Sequence, residues 1–340
     1  MSELDFEPGA LERYLAEHVD GFAGPVEYTR FKGGQSNPTY RLDTPGGRYV
    51  LRKKPNGKLL PKAHMVDREY RVMTGLWDTA VPVPRTRLLC EDNAVIGTDF
   101  YLMDFVDGRV LWDPQLPELD AAERAGVYAE MNRVMAALHS VDYEAAGLGD
   151  FGRPEGYVER QIALWTKQYR ASETEHIEAM EQLIDWLPAN LPASSESAIA
   201  HGDFRLDNMI FDAREPKVLA VLDWELCTLG HPLADFAYHM MVWRLSPSLF
   251  RGLGGVDVES LGIAVESDYL RQYCDRTGRD MVGRQEWNFY IAYNMFRLAA
   301  ILQGIAKRAI DGTAASPEAV ENGKRARPLA EEAWRQAQRA

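Results

Sequence analysis

Three side chains in the middle of the chain are of the types, and at the spacing, that could do chemistry together. The run Ala200-His201-Gly202-Asp203-Phe204-Arg205-Leu206-Asp207-Asn208-Met209-Ile210-Phe211 puts Asp203 and Asn208 five positions apart, and Val218-Leu219-Ala220-Val221-Leu222-Asp223-Trp224-Glu225 follows. A polar loop of that length can turn Asp203 and Asn208 toward one point. Met209 to Phe211 and Val218 to Leu222 read as the arms of a hairpin closed by Arg214-Glu215-Pro216, with Asp223 where the hairpin leaves the apolar core. Two carboxylates and an amide oxygen are hard ligands suited to Mg²⁺. Phosphoryl transfer asks for such a set, with one carboxylate to take a hydroxyl proton and an amide plus a second carboxylate to hold metal on the phosphates.

The elements that must position these groups differ along the chain. The first third is punctuated by Gly33-Gly34, Pro45-Gly46-Gly47, Pro55-Asn56-Gly57 and Pro82-Val83-Pro84. Between these breaks, Val26 to Phe31, Thr39 to Asp43 and Arg48 to Lys53 read as a three-stranded meander, with Thr44-Pro45-Gly46-Gly47 as one turn. Ala63 to Trp77 reads as a helix, and Phe100 to Phe105 as a strand ending at Val106-Asp107-Gly108. Helical periodicity then takes over in Glu118 to His139, Tyr157 to Tyr169 and Glu175 to Trp186. After the break at Ser197 to Leu222 it resumes in Leu233 to Trp243, Asp268 to Arg276, Gln285 to Ile310 and Pro317 to Arg339. The pattern predicts a β-rich first domain over 1–107 and a mainly helical second domain over 108–340.

Composition narrows the class. The chain has 340 residues, 46% of them hydrophobic and 26% charged, which is globular and excludes disordered, collagen-like and coiled-coil chains. The formal charge of −13 argues against a duplex nucleic-acid binder, which needs a basic face. Cys90, Cys227 and Cys274 are far apart and in no CxxC pair, so neither a disulfide framework nor a zinc site is expected. MSELDFEPGA lacks an apolar core of the signal-peptide kind, and no apolar run approaches a membrane span. A cytoplasmic protein with no membrane and no nucleic-acid partner is the expectation; composition leaves the oligomeric state open.

H-x-D-x-x-x-x-N is the catalytic-loop spacing of the protein-kinase-like fold, and Asp223-Trp224-Glu225 stands where protein kinases carry Asp-Phe-Gly. With His-Gly-Asp and Asp-Trp-Glu, the chain resembles the aminoglycoside phosphotransferase and choline kinase branch over about Thr29 to Ile305. Within it, Gly-Gly-Gln-Ser-Asn-Pro-Thr-Tyr, Leu-Arg-Lys-Lys-Pro and His-Gly-Asp-Phe-Arg-Leu-Asp-Asn are most similar to the kinase-like domains related to those fused to acyl-CoA dehydrogenases. The resemblance implies an α+β, two-lobed fold, with a small nucleotide-binding N-lobe and a larger helical C-lobe for catalysis and acceptor binding.

It also implies roles. Asp203 becomes the base orienting the acceptor hydroxyl, Asn208 and Asp223 the Mg²⁺ ligands, and ATP the donor. His201 becomes a brace for the loop, whereas Asp207 and Glu225 carry weaker signals. Gly33, Gly34, Ser36 and Asn37 lie in a turn that can lay backbone N–H groups over phosphates. The third strand should supply a cation; alternation places Arg52 and Lys53 on opposite faces, and the family pattern favours Arg52, with Glu69 as its helical partner. Tyr101 to Gly108 looks like the hinge, where Met103 and Phe105 line the adenine pocket or fill core. His139 reads as a structural group at a helix end. His231 and His239 have no third metal ligand nearby, and Trp243, Trp287 and Tyr290 read as core or as walls of the acceptor pocket.

The resemblance implies a small hydroxylated molecule as the acceptor. The helix Gln285 to Ile310 holds Arg297, Lys307 and Arg308 but only Glu286 as an acid, and Arg205 sits beside Asp203. That pattern suits an anionic hydroxyacyl compound, the acceptor the subgroup implies, better than a polycationic aminoglycoside. An aminoglycoside or amino-alcohol kinase, and a nucleotide-binding regulator with little catalysis, are the alternatives.

Overall fold

A computed structural model describes residues 4–31, 37–57, 64–194, 196–313 and 318–340. In chain order the first elements are α1 (Pro8–His18), β1 (Glu27–Arg30), β2 (Thr39–Thr44), β3 (Gly47–Lys53), α2 (Val66–Leu76), β4 (Thr86–Cys90), α3 (Asn93–Ile96) and β5 (Phe100–Asp104). There follow α4 (Ala121–His139), α5 (Tyr157–Ser172), α6 (Glu178–Ala189), β6 (Ala198–Ala200), β7 (Met209–Phe211), β8 (Val218–Val221) and β9 (Thr228–Gly230). The chain finishes with α7 (Pro232–Met240), α8 (Pro247–Phe250), α9 (Glu266–Thr277), α10 (Arg284–Ile310), α11 (Ala319–Gly323) and α12 (Ala326–Ala337).

The chain divides into two compact units. The first comprises Met1–Arg109, Met209–Ala213 and Val218–Cys227; the second comprises Val110–Asn208, Arg214–Lys217 and Thr228–Ala340. A division at residue 107 counts the β7–β8 hairpin with the helical part of the chain, whereas its contacts are with the first unit. Backbone bonds explain this: Arg109 and Phe211 exchange N–H···O bonds of 2.8 Å in both directions, and the Val221 N–H donates to Pro82 O at 2.9 Å.

The first unit is an antiparallel sheet in the order β1-β2-β3-β5-β4. Strand alternation gives it two dissimilar faces. Tyr40, Leu42, Tyr49, Leu51, Phe100 and Leu102 point to one side, where Leu11 and Leu15 of α1 cover them. Lys53 falls on this same side and is fully buried, its Nζ 2.9 Å from Asp5 and 3.0 Å from Asn56 Oδ1. The other side carries Arg41, Arg48, Val50 and Arg52 beside Tyr101 and Met103, and receives α2.

The second unit is helical around α10, which is buried along most of its length from Trp287 to Gln303. Helices α5, α6, α7, α11 and α12 all pack against it. Helix α4 begins at Ala121 rather than Glu118 because Asp120 forms a reciprocal capping box with Glu123. The tail expected as one helix from Pro317 is two in its described part, α11 and α12. At their junction a Cβ on Gly323 would lie 2.7 Å from Ala306 Cβ, so that close crossing of α10 accommodates glycine alone. The sequence reading also passed over α1 and β4, and it extended α7 through 241–243, which form a tighter 3₁₀ turn. Among the described residues no helix is long and apolar enough to cross a membrane.

Candidate active site

In the first unit the functional groups gather on Arg52. Its Nε lies 2.8 Å from Glu69 Oε2 and its Nη2 3.4 Å from Asp223 Oδ1. The cation comes from β3 and Glu69 from the first turn of α2, where it is buried. Glu69 also accepts from the Tyr101 hydroxyl at 3.0 Å and from Asn37 Nδ2 at 2.9 Å, and the Oδ1 of that amide is 3.1 Å from the His64 ring. The Asn37 amide is thus committed at both ends, to Glu69 through Nδ2 and to His64 through Oδ1. Burial by itself would lower the Arg52 pKa, but the charge of Glu69 first, and then that of Asp223, outweighs it and raises the guanidinium above its ordinary value. Arg52 is a fixed cation. Lys53, on the other face, is held by Asp5.

Asp223 leaves β8 with φ 64° and ψ 60°, a left-handed conformation that aspartate tolerates better than most residues. The turn behind it is anchored twice. Trp224 is buried with its Nε1–H donating to Val221 O at 2.9 Å, and Arg68 of α2 donates to Cys227 O at 3.3 Å. Met103 is buried in β5. Phe105 lies beneath two guanidiniums, Arg48 at 4.8 Å and Arg41 at 5.7 Å from its ring centroid. Gly33, Gly34 and Ser36 lie outside the described residues.

In the second unit the functional groups gather on Asp203. Asn208 Nδ2 donates to both the main-chain oxygen and Oδ2 of Asp203, at 2.9 and 3.1 Å. Arg205 Nε is 3.0 Å from Oδ1 and the Tyr238 hydroxyl donates to the same oxygen at 2.5 Å. The loop is suspended from a buried carboxylate that sequence reasoning missed. Asp235 accepts the N–H groups of His201 at 2.7 Å and Gly202 at 2.9 Å, and its Oδ2 is 3.2 Å from His139 Nε2. Burial would raise the Asp235 pKa, but the hydrogen bond and charge of His139, then His201 and the Gly202 N–H, hold it below the usual carboxylate value. From α10, Arg297 donates to Gly202 O at 2.8 Å. His201 braces the loop from within, its Nδ1 accepting the Asp203 N–H at 3.2 Å.

Three of these residues had a sequence signal that was available. Asp235 is an acid inside the otherwise apolar run Pro232–Met240, and Tyr238 follows it at i+3, on the same helix face. Arg297 is a cation inside the buried stripe of α10. Such residues are rarely buried without a partner.

A pocket, part of it open to solvent, lies beside the loop. Its walls are mainly apolar: Trp112, Tyr128, Met131, Leu206, Met241 and Phe250 contribute. Arg205 and Arg251 are its cations and Asp207 its one acid, and Asp207 is 3.5 Å from Arg205. The aromatic residues read from sequence as core or as pocket walls lie elsewhere. Trp243 and Trp287 border a different cleft, donating to Ala264 O and Glu266, and Tyr290 stacks on His231.

Residues 27–280 match the phosphotransferase enzyme family. The chain belongs to that family. As a phosphotransferase of this family it is a small-molecule kinase with the α+β, protein-kinase-like fold. It is 48% identical over 328 residues to mouse (Mus musculus) acyl-CoA dehydrogenase family member 10, covering 96% of this chain and 30% of that protein. Identity to rat (Rattus norvegicus) acyl-CoA dehydrogenase family member 11 is 42% over 334 residues, covering 96% and 42%. The phosphotransferase therefore spans less than half the length of these curated relatives. Among solved structures, a protein from Ralstonia eutropha, provisionally named an aminoglycoside phosphotransferase, is 55% identical with a TM-score of 0.91 over 98% of both chains. A thermostable mutant of aminoglycoside phosphotransferase APH(4)-Ia, in ternary complex with AMP-PNP and hygromycin B, is 17% identical with a TM-score of 0.63 over 96% of this chain and 98% of that one; it shares the fold.

Each unit offers one hard oxygen donor of its own. Asn208 Oδ1 faces no donor among the described residues, and the Asp223 carboxylate is touched there only by Arg52, at 3.4 Å. Both are hard oxygens of the kind a small divalent cation takes.

Proposed function

We propose that this phosphotransferase moves the γ-phosphoryl group of ATP to the hydroxyl of a small metabolite, a hydroxyacyl compound in preference to an aminoglycoside. The observation that carries the acceptor class is the pocket beside Asp203. Its apolar walls suit a hydrocarbon chain, and its two arginines against one paired acid suit an anion. A polycationic amino sugar would meet like charge there and leave its hydroxyls without partners.

Asp203 orients the acceptor hydroxyl and takes its proton. Arg52, paired with Glu69, is assigned to the non-transferred phosphates, whose oxygens a guanidinium can bridge. Asn208 and Asp223 would hold Mg²⁺, which supplies neutralising charge on the phosphates when bound. Gly33, Gly34, Ser36 and Asn37 are assigned to the phosphate turn, and Met103 and Phe105 to the adenine side. Such catalysis rests on positioning and electrostatics. The proposal keeps the enzyme in the cytoplasm, a compartment that supplies ATP.

The test is Mg²⁺-dependent ATP consumption across hydroxy fatty acids, their CoA thioesters, choline-like alcohols, amino sugars and nucleosides, with Asp203→Ala as the blank. Turnover on hydroxyacyl compounds that falls about a hundredfold or more in the blank is expected. Turnover on amino sugars alone would reverse the acceptor assignment. Nucleotide binding with no turnover on any acceptor would favour a regulator.

A further inference from the structure

The two oxygens of Asp203 are not equivalent. Oδ1 receives the Tyr238 hydroxyl at 2.5 Å and lies 3.0 Å from Arg205 Nε as an ion pair, whereas the one donor to Oδ2 among the described residues is Asn208 Nδ2, at 3.1 Å. Each carboxylate oxygen offers about two lone-pair sites. Among the described residues Oδ1 therefore faces both a hydroxyl donor and a guanidinium, whereas Oδ2 has a single amide donor and keeps one site open.

Tyr238 is held to this task from three directions. It lies one helical turn after Asp235 in α7, so one helix face secures His201 and Gly202 by their N–H groups and Asp203 by its side chain. The Arg297 guanidinium lies 5.0 Å from the Tyr238 ring centroid while donating to Gly202 O at 2.8 Å. The ring is buried and forms part of the wall of the apolar pocket beside Asp203. Nothing else about the pocket requires a hydroxyl there; a phenylalanine ring would fill the same wall.

We propose that Tyr238 is a positioning residue: its hydroxyl caps Oδ1 of Asp203 and so turns the open site on Oδ2 toward the acceptor hydroxyl. The proposal rests on the reading of Asp203 as the base. In the transfer step the acceptor proton passes to Oδ2, the acceptor oxygen forms its bond to the γ-phosphorus, and the bond to the departing ADP oxygen breaks. Tyr238 keeps its own proton throughout; burial, and then the neighbouring Asp203 charge, push its pKa far above the ordinary phenol value.

Tyr238→Phe removes only the hydroxyl. It is to be assayed with Mg²⁺ and ATP, using a medium-chain hydroxy fatty acid and, separately, water as acceptor. Nucleotide affinity on the same preparation reports folding. The expected result is a kcat lower by about tenfold or more for both acceptors, the loss of one hydrogen bond to a charged group, with KM values and nucleotide affinity unchanged. Parental kcat in Tyr238→Phe, with Asp203→Ala inactive, would overturn the proposal alone. A raised acceptor KM at parental kcat would reduce Tyr238 to pocket wall and overturn it equally. Turnover retained in Asp203→Ala would remove the base, and this proposal with it.

Discussion

Acid should unfold this protein earlier than its carboxylates alone require, because two histidines are buried in the neutral form. His239 is enclosed by aromatic rings, Phe204 at 5.6 Å and Tyr269 at 5.5 Å between centroids, with Nε2 2.9 Å from the Tyr269 hydroxyl. His231 sits between Ser194 and Tyr290. Burial pushes each pKa down from 6.5 to about 4. The folded value is the lower one, so their contribution is intact above pH 6.5 and is lost as pH falls toward 4, while the unfolded chain takes up protons that the folded one refuses. Each pH unit in that window costs about 1.4 kcal/mol per ring, hence about 3 kcal/mol for each by pH 4 and a slope approaching 2.7 kcal/mol per pH unit near pH 5. Asp235 adds to the loss only below the ordinary aspartate range, since its pKa is lowered from 3.8. Urea unfolding at steps between about pH 7 and 5, where most carboxylates stay ionised, measures the slope. His239→Gln should cut it by about half. An unchanged slope in that variant, or a flat parent curve across the window, would refute the reasoning. Phe204 follows Asp203 directly, so protonating His239 also disturbs the packing behind the catalytic loop.

Two further perturbations test the first unit. Glu69→Gln leaves Arg52 buried without its main counter-charge, and the unfolding free energy should fall by about 3 kcal/mol or more, with ATP affinity weakened because Arg52 then has only Asp223; unchanged stability by urea titration would show the pair to be inert. Gly108→Ala would place a Cβ 2.3 Å from Phe211 O and 2.5 Å from Ile210 Cγ2, so a loss of about 1–3 kcal/mol is expected, read by the same titration, and parental stability would show that the bridge at Arg109 shifts freely.

Much of the architecture is written in local pattern. The meander β1–β3, the helices α2, α4, α5, α6, α9 and α10, and the β7–β8 hairpin follow from period and turn chemistry, because each buries one face against a neighbour. Helix α1 lay in an acidic opening stretch where Leu11 and Leu15 alone mark the buried face, a signal too short to separate from a loop. Strand β4 likewise shows little alternation, and its place at the sheet edge comes from pairing with β5. Gly323, at the end of α11, lies where α10 passes close, a contact that the sequence pattern does not reveal.

The site divides in the same way. By itself the sequence determined the residue types and spacing of Asp203, Asn208 and Asp223, and the alternation that separates Arg52 from Lys53, because covalent order and backbone geometry set these. Tertiary structure decided the partners. Asp5 takes Lys53, Glu69 takes Arg52, Asp235 carries the loop from 34 positions away, and Tyr238 and Arg297 close on Asp203 and Gly202 from separate helices. Those contacts join residues remote in the chain, and only packing of the helices brings their charges near enough for Coulomb attraction and hydrogen bonding to act.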